Sequence, residues 1–287
     1  MKSMRSRAGI GLVAILALFA VTAQPAAAGT AVDIELALLV DVSGSINEVE
    51  FNQQINGYVN AFKDSDVISA IGDGAKGSIA VSMYFWANNA NTNFTDYVYQ
   101  VVGWTEVNSA ATGLTFANLI DDELVLNPSS GDINPYGGST PIQGAMNTLA
   151  VDGSGLVGFA DNTFDGVNIV DVSGDGSNNV AIPTGKSTDF GRDALVDAGV
   201  YQINGLVIGS SSIVDYYEDY VITSNSSTTK AGFVQNISSF NDFSSAIKSK
   251  LIREIGGVVP LPAAAWLGLG MLGGLGVIRK VRRKKHV

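Results

Sequence analysis

The sequence predicts an α/β domain with a doubly wound, mainly parallel central sheet that carries helices on both faces. Two observations support this fold class. Short β-rich apolar runs alternate with segments of helical periodicity between residues 32 and 255, and such alternation is typical of parallel sheets. The first apolar run is nearly continuous, as expected of a strand that is buried on both faces.

Six apolar runs are predicted to be strands. They are residues 32–40, 77–86, 97–104, 167–172, 200–208 and 233–237. Six segments are predicted to be helices, because their apolar residues recur three or four positions apart. They are residues 48–62, 110–124, 142–149, 189–198, 213–221 and 240–255.

Composition excludes several kinds of active site. The 287 residues contain no cysteine, and the single histidine is His286. Disulfides, thiolate metal sites, histidine-based zinc sites and Ser-His-Asp triads are therefore excluded.

Charge is strongly partitioned along the chain. Three of the 17 basic residues lie within the first seven positions and six lie within the last nine, so that eight remain in between with all 27 acidic residues. A segment this acidic lacks the basic footprint of a nucleic-acid-binding protein. It is compatible with divalent cations.

The amino-terminal 28 residues predict a secretory signal peptide. A basic start is followed by an apolar core over residues 8–21 and by three small residues, Ala26, Ala27 and Ala28. This is the three-part layout of a cleaved export signal. The alternative is an uncleaved anchor helix. The predicted domain consists of residues 29–257.

The carboxyl-terminal residues 258–287 also predict a targeting segment. Val-Val-Pro-Leu-Pro at residues 258–262 precedes an apolar helix over residues 263–278 and a basic tail. The helix is just long enough to span the inner membrane, and its tail would stay in the cytoplasm. The layout resembles PEP-CTERM sorting signals of the VPLPA variant. That resemblance implies cleavage by an exosortase-type peptidase and release to the surface or matrix, whereas an ordinary membrane anchor is the alternative.

Polar residues follow the first predicted strand in a pattern that suits a hard cation. Asp41, Ser43 and Ser45 place one carboxylate and two hydroxyls at i, i+2 and i+4. Oxygen ligands of this kind are those that Mg²⁺ takes, and strand carboxyl ends are where open α/β sheets bind ligands. The alternative is that Ser45 or Asn47 merely caps the next helix.

Two further motifs follow in order. Gly-Gly-Ser-Thr-Pro at residues 137–141 precedes a predicted helix, and Ser-Gly-Asp-Gly at residues 173–176 follows a predicted strand. The three motifs together resemble the metal-ion-dependent adhesion site of von Willebrand factor A domains, over residues 32–255. Within them, Asp-Val-Ser-Gly-Asp-Gly followed by Asn178 and Asn179 is similar to a secreted bacterial A-like family of uncharacterised function.

The resemblance implies a site for Mg²⁺, or for Ca²⁺ or Mn²⁺. It implies that Ser43, Ser45 and Thr140 bind the cation directly, and that Asp41 and Asp175 bind it directly or through water. Asp171 is the alternative to Asp175, and Thr140 is alternatively a helix cap. The sequence departs from the pattern at one position, because Gly174 stands where that family has Thr or Ser.

The function implied is a secreted or cell-surface binding or adhesion module rather than an enzyme. A carboxylate of a partner protein or of an acidic polysaccharide would complete the coordination of the metal. One alternative is an envelope or matrix protein with a purely structural metal. The other is a metal-dependent hydrolase, for which Glu106 and Glu123 are the nearest candidate bases.

Overall fold

The structure is a computed structural model that describes residues 29–88, 97–126, 137–151 and 163–258. The predicted signal peptide and the predicted membrane helix over residues 263–278 lie outside the described residues. Within the described ranges, no helix is both long enough and apolar enough to cross a membrane.

Six strands of the described chain form one sheet in the order β3-β2-β1-β4-β5-β6. All neighbouring strands are parallel except β2 and β3, which are antiparallel. The strands are β1 (Thr30–Asp41), β2 (Ile79–Trp86), β3 (Val98–Val107), β4 (Phe164–Gly174), β5 (Gln202–Ile208) and β6 (Val234–Ile237). The predicted doubly wound, mainly parallel sheet is therefore confirmed.

Helices cover both faces of this sheet, as the sequence predicts. They are α1 (Glu48–Lys63), α2 (Ser65–Gly72), α3 (Ala110–Leu126), α4 (Ile142–Ala150), α5 (Phe190–Asp197), α6 (Ser211–Tyr220) and α7 (Phe243–Val258). Side chains of α1, α2, α3 and α7 share one core cluster with Leu36 and Leu38 of β1. Side chains of α4, α5 and α6 share the other cluster with Ala37 and Leu39.

The central strand β1 determines where a site can form. Its residues from Ile34 to Val40 are buried almost completely, which explains the continuous apolar run. In the sheet, Val40 is paired with Ser173 of β4 and Asp41 with Trp86 of β2. The strand order reverses between β1 and β4, and the crevice at such a reversal is the usual ligand site of doubly wound sheets.

Several details differ from the prediction. Strands β3 (Val98–Val107) and β4 (Phe164–Gly174) are longer than predicted, and two helices also differ. Helix α2 was not predicted, because only Val67 and Ile71 of its eight residues are buried and such a short segment shows no clear period. Its start is fixed by Asp64, whose side chain accepts a hydrogen bond from the Asp66 amide. Helix α7 extends to Val258, three residues beyond the predicted end and into the first residue of the predicted sorting signal.

Candidate metal centre

Three loops meet at the carboxyl end of β1. They are residues 42–47 after β1, residues 137–141 before α4 and residues 175–179 after β4. The middle loop is held by the other two, because Gly44 N donates to Gly138 O and Asn179 N donates to Thr140 O, both at 3.0 Å. The amide of Asn88, just beyond β2, donates to Ser139 O at the same distance. The three predicted motifs are therefore brought together.

Three hydroxyls and one carboxylate form a continuous polar chain across these loops. Ser43 Oγ lies 3.2 Å from Thr140 Oγ1 and 3.3 Å from Ser45 Oγ. Ser45 Oγ donates to Asp175 Oδ1 at 2.6 Å. Thr140 and Ser43 are buried, whereas Ser45 is exposed, so the chain of oxygens leads from the protein interior to the surface.

Asp41 lies at the inner end of the site and is completely buried. Its Oδ1 accepts a 2.8 Å hydrogen bond from Ser43 N, whereas Oδ2 has no hydrogen-bond partner among the described atoms. Burial raises the pKa of Asp41 to about 7, and the Asp175 carboxylate adds to the rise. A nearby cation would offset both effects, because it favours the charged form.

The pKa of Asp175 is also raised. Burial raises its pKa and the charge of Glu50 adds to the rise, although the hydrogen bond from Ser45 opposes them. Among the ion pairs of the described residues, none involves Asp41 or Asp175. Two neighbouring carboxylates therefore share this crevice without a basic partner from the described chain.

The donor set fits a hard divalent cation. It consists of two carboxylates and three hydroxyls, with no nitrogen or sulfur ligand. Across the described ranges, no group of three or more His, Cys, Asp and Glu side chains could hold a metal ion. A cation here would consequently depend on hydroxyl oxygens and retained waters, and Mg²⁺ is the ion that most often keeps its waters.

The helix-cap alternative is confirmed for Asn47, whereas it is wrong for Ser45 and Thr140. Asn47 caps α1, since its side chain accepts from the amides of Val49 and Glu50 and the Glu50 carboxylate accepts from Asn47 N. Ser45 is therefore not the cap. Helix α4 begins after Pro141 without a side-chain cap, so the Thr140 hydroxyl remains available to the site.

The structure separates the two candidate aspartates, Asp171 within β4 and Asp175 just after it. Asp171 is completely buried in the strand, and Lys250 Nζ lies 2.6 Å from its Oδ1. The same ammonium lies 2.5 Å from Glu254 Oε1, so Asp171 faces α7. Asp175 instead contacts Ser45, which places it in the candidate metal centre.

Two residues to which the sequence analysis gave no role in the site support it. Asn179 Oδ1 accepts a 2.6 Å hydrogen bond from Thr140 N, in addition to the backbone bond between the same residues. Gln54 Nε2 of α1 donates to the Asp41 carbonyl at 3.2 Å. The Asn-Asn pair after Asp-Gly is a weak sequence signal for Asn179. Nothing in the local sequence indicates that Gln54 contacts the site.

An open groove of about 440 Å³ adjoins Asp175 on the side of α1. Its other lining residues come from the start of α1, the end of β5 and the segment after β6. They are Asn47, Val49, Glu50, Gln53, Ile208, Gly209, Ser238, Ser239, Phe240 and Asn241. Most of its polar groups are neutral amides and hydroxyls.

Of the two candidate bases of the hydrolase alternative, Glu106 is not brought to the site. Glu106 lies on β3 opposite Ala80, near the amino end of β2, whereas the site lies beyond the carboxyl ends of β1 and β4. The side chain of Glu123 lies outside the described residues.

The chain is similar in fold to several solved structures. Proximal thread matrix protein 1 from the mussel byssus is 18% identical with a TM-score of 0.49, over 80% of this chain and 47% of that one. Another structure of that protein, with a zinc-occupied MIDAS motif, is 20% identical with a TM-score of 0.45, over 79% and 46%. The pilus adhesin SpaC from Lactobacillus rhamnosus GG is 11% identical with a TM-score of 0.49, over 78% and 30%.

This chain thus spans about half the length of the mussel protein and less of the adhesin. With identities and TM-scores this low, the likenesses carry no argument about its activity. A comparison with curated proteins gives no match. A family model matches residues 31–259, which cover both core clusters and all three loops of the site. The chain therefore belongs to the family described as Protein of unknown function (DUF1194).

Proposed function

We propose that this chain is a divalent-metal-dependent binding or adhesion module that acts outside the cytoplasm. The observation that carries the proposal is the convergence of five oxygen-bearing side chains on one crevice. Ser43, Ser45 and Thr140 would hold Mg²⁺, or Ca²⁺ or Mn²⁺, directly. Asp41 and Asp175 would hold it directly or through water.

Each residue has a defined part in this proposal. Buried Asp41 supplies the negative charge at the base of the site, and its orientation is fixed by Ser43 N. Exposed Ser45 and half-buried Asp175 form the solvent side. A bound cation would supply a positive centre for a carboxylate of a partner protein or of an acidic polysaccharide.

The groove beside Asp175 supports a binding role. It is open to solvent and adjoins the proposed cation position, so a ligand whose carboxylate reached the cation could rest a neutral segment on its amides and hydroxyls. It has no Lys or Arg among its lining residues, so an anionic group of the ligand would find its counter-charge at the cation instead.

Export is also part of the proposal. A signal peptide over residues 1–28 and a PEP-CTERM-type tail would send residues 29–257 to the surface or matrix after cleavage by an exosortase-type peptidase. Mass spectrometry of the extracellular fraction should then find a carboxyl terminus near residues 260–263. Intact protein found only in membranes would instead identify the tail as an anchor.

The metal assignment is tested by thermal unfolding. Mg²⁺ or Mn²⁺ should raise the melting temperature of the wild type, since a ligand that binds only the folded state stabilises it by about 2.7 kcal/mol at 100 times its Kd. Asp41→Ala should abolish the rise, whereas Asp215→Ala, which removes an exposed carboxylate of α6, should retain it. An equal rise in all three proteins would refute the site.

A second measurement separates binding from a purely structural metal. The protein is used to capture partners from the native exopolysaccharide and surface-protein fraction, with Mg²⁺ or with EDTA. A binding module retains its partner only with Mg²⁺. Stabilisation by Mg²⁺ without any metal-dependent capture would favour the structural role.

A further inference from the structure

Two glycines in neighbouring strands make room for one tyrosine. Gly174 of β4 pairs with Val207, and Gly205 of β5 pairs with Val172. A Cβ atom at Gly205 would lie 2.8 Å from Tyr217 Cδ1, and one at Gly174 would lie 2.9 Å from the Tyr217 hydroxyl. Glycine weakens a strand interior and often marks the close approach of another group. Here that group is the phenol of Tyr217, which reaches across both strands from α6.

The phenol ends beside the base of the metal centre. The Cβ position of Gly174 that lies 2.9 Å from the Tyr217 hydroxyl also lies 2.8 Å from Asp41 Oδ2. Because both distances are measured from the same point, the Tyr217 hydroxyl oxygen and Asp41 Oδ2 can be no farther apart than the sum of the two distances. Tyr217 and Asp41 are both completely buried.

Neither oxygen has a hydrogen-bond partner among the described atoms. A buried polar group without a partner is unfavourable, and here two such groups of complementary chemistry face the same small space. A phenol is protonated at neutral pH, and burial, together with the Asp41 charge, raises the pKa of Tyr217 further. Tyr217 is therefore a donor, and Asp41 Oδ2 is its acceptor when the carboxyl group is ionised.

We propose that Tyr217 is a positioning residue of the metal centre, whose hydroxyl donates to Asp41 Oδ2 directly or through one water. The inference rests on the proposed function for its connection to the cation. Hydrogen bonds to the outer oxygens of metal-binding side chains fix the orientation of those ligands. The departure of Gly174 from the A-domain pattern then has a physical reason, because any side chain there would displace this hydroxyl.

The first test measures Mg²⁺ affinity by calorimetric titration of the Tyr217→Phe variant, which loses only the hydroxyl. We expect the affinity to fall by about tenfold. Tyr84→Phe is the matched control: Tyr84 is buried in the same core cluster, but its hydroxyl accepts from Gln100 Nε2. Its affinity should be that of the wild type. Wild-type affinity in Tyr217→Phe would overturn the inference.

The second test does not depend on a cation. The folding equilibrium constants of the wild type, Asp41→Asn, Tyr217→Phe and the double variant are measured in EDTA by urea unfolding. A hydrogen bond between the two side chains should make the effects non-additive by a factor on the order of five. Additive effects would overturn the inference. Non-additive effects in a protein that binds neither Mg²⁺ nor Mn²⁺ would refute the proposed function and leave the contact between Tyr217 and Asp41 established.

Discussion

The Ser45 hydroxyl donates a 2.6 Å hydrogen bond to Asp175 Oδ1, although 130 positions separate the two residues. The contact follows from the sheet, because β1 and β4 are adjacent parallel strands whose carboxyl ends meet. It places Asp175, rather than Asp171, beside the hydroxyls of the candidate site.

Asp175→Asn should weaken Mg²⁺ binding by at least about tenfold, since it removes a charge from the site while it keeps the shape of the side chain. Calorimetric titration checks the affinity, and urea unfolding in EDTA should show nearly unchanged stability.

Asp171→Asn is the matched comparison and should give the opposite result. It leaves buried Lys250 with Glu254 as its remaining carboxylate, and the loss of one partner from a buried ion pair costs about 3 kcal/mol. The variant should bind Mg²⁺ normally while folded. If Asp171→Asn lost affinity and Asp175→Asn did not, the loop after β4 would be wrongly assigned.

Asn179→Ala should lower Mg²⁺ affinity, because it removes the acceptor that holds the Thr140 amide. Loss of such a supporting hydrogen bond typically weakens metal binding by about tenfold. Asn178→Ala is the control, since the Asn178 side chain donates to Val180 O in its own loop. Equal Mg²⁺ affinities in the two variants would show that the position of Thr140 does not depend on the Asn179 side chain.

Gly44→Ala should disturb the site, whereas Gly176→Ala should be tolerated. A Cβ atom at Gly44 would lie 2.9 Å from Gly138 O. This is a backbone atom, so it can move away only if the loop of residues 137–141 moves with it. A Cβ atom at Gly176 would lie 3.5 Å from Thr140 Cγ2, which is an ordinary contact. Mg²⁺ titrations of both variants check this order, and a tolerated Gly44→Ala would mean that the two loops can separate without loss of binding.

Glu254 should make stability depend on pH. Burial, together with the charge of Asp171, raises its pKa from 4.5 to about 7. Between these values the folded protein holds a proton that the unfolded chain releases, so the contribution of Glu254 is present at low pH and is lost as pH rises to about 7.

Glu254→Gln lacks this proton equilibrium and provides the reference. In metal-free buffer, the unfolding free energy of the wild type minus that of the variant should fall as pH rises from about 4.5 to about 7. The slope should be at most about 1.4 kcal/mol per pH unit. A difference that stayed constant or increased over this range would contradict the assignment.

The fold could be predicted because local patterns and tertiary packing agree. The apolar run of β1 is continuous because both faces of that strand are covered, and Phe51, Ile55 and Tyr58 recur at helical spacing because α1 buries one face. Helix α2 could not be predicted, since its two buried residues are too few to define a period.

The candidate site was predictable to the extent that its proposed ligands lie in short motifs. Ser43 and Ser45 flank Gly44, and Thr140 lies two residues after Gly138. All three lie near element ends, where sequence patterns are informative. The supporting contacts of Asn179, Gln54 and Tyr217 depend on how distant segments are placed against one another. Apart from the Asn-Asn pair after Asp-Gly, which is a weak signal for Asn179, no local pattern encodes such contacts.

The three backbone bonds that hold the Gly138–Thr140 segment have a consequence for folding. They come from Gly44, Asn88 and Asn179, so the segment is fixed only after β1, β2 and β4 have aligned. Contacts between residues so far apart in sequence carry a large loop-closure entropy and form late. A cation would therefore find no preformed site in the unfolded chain, and its binding would report that the native topology is complete.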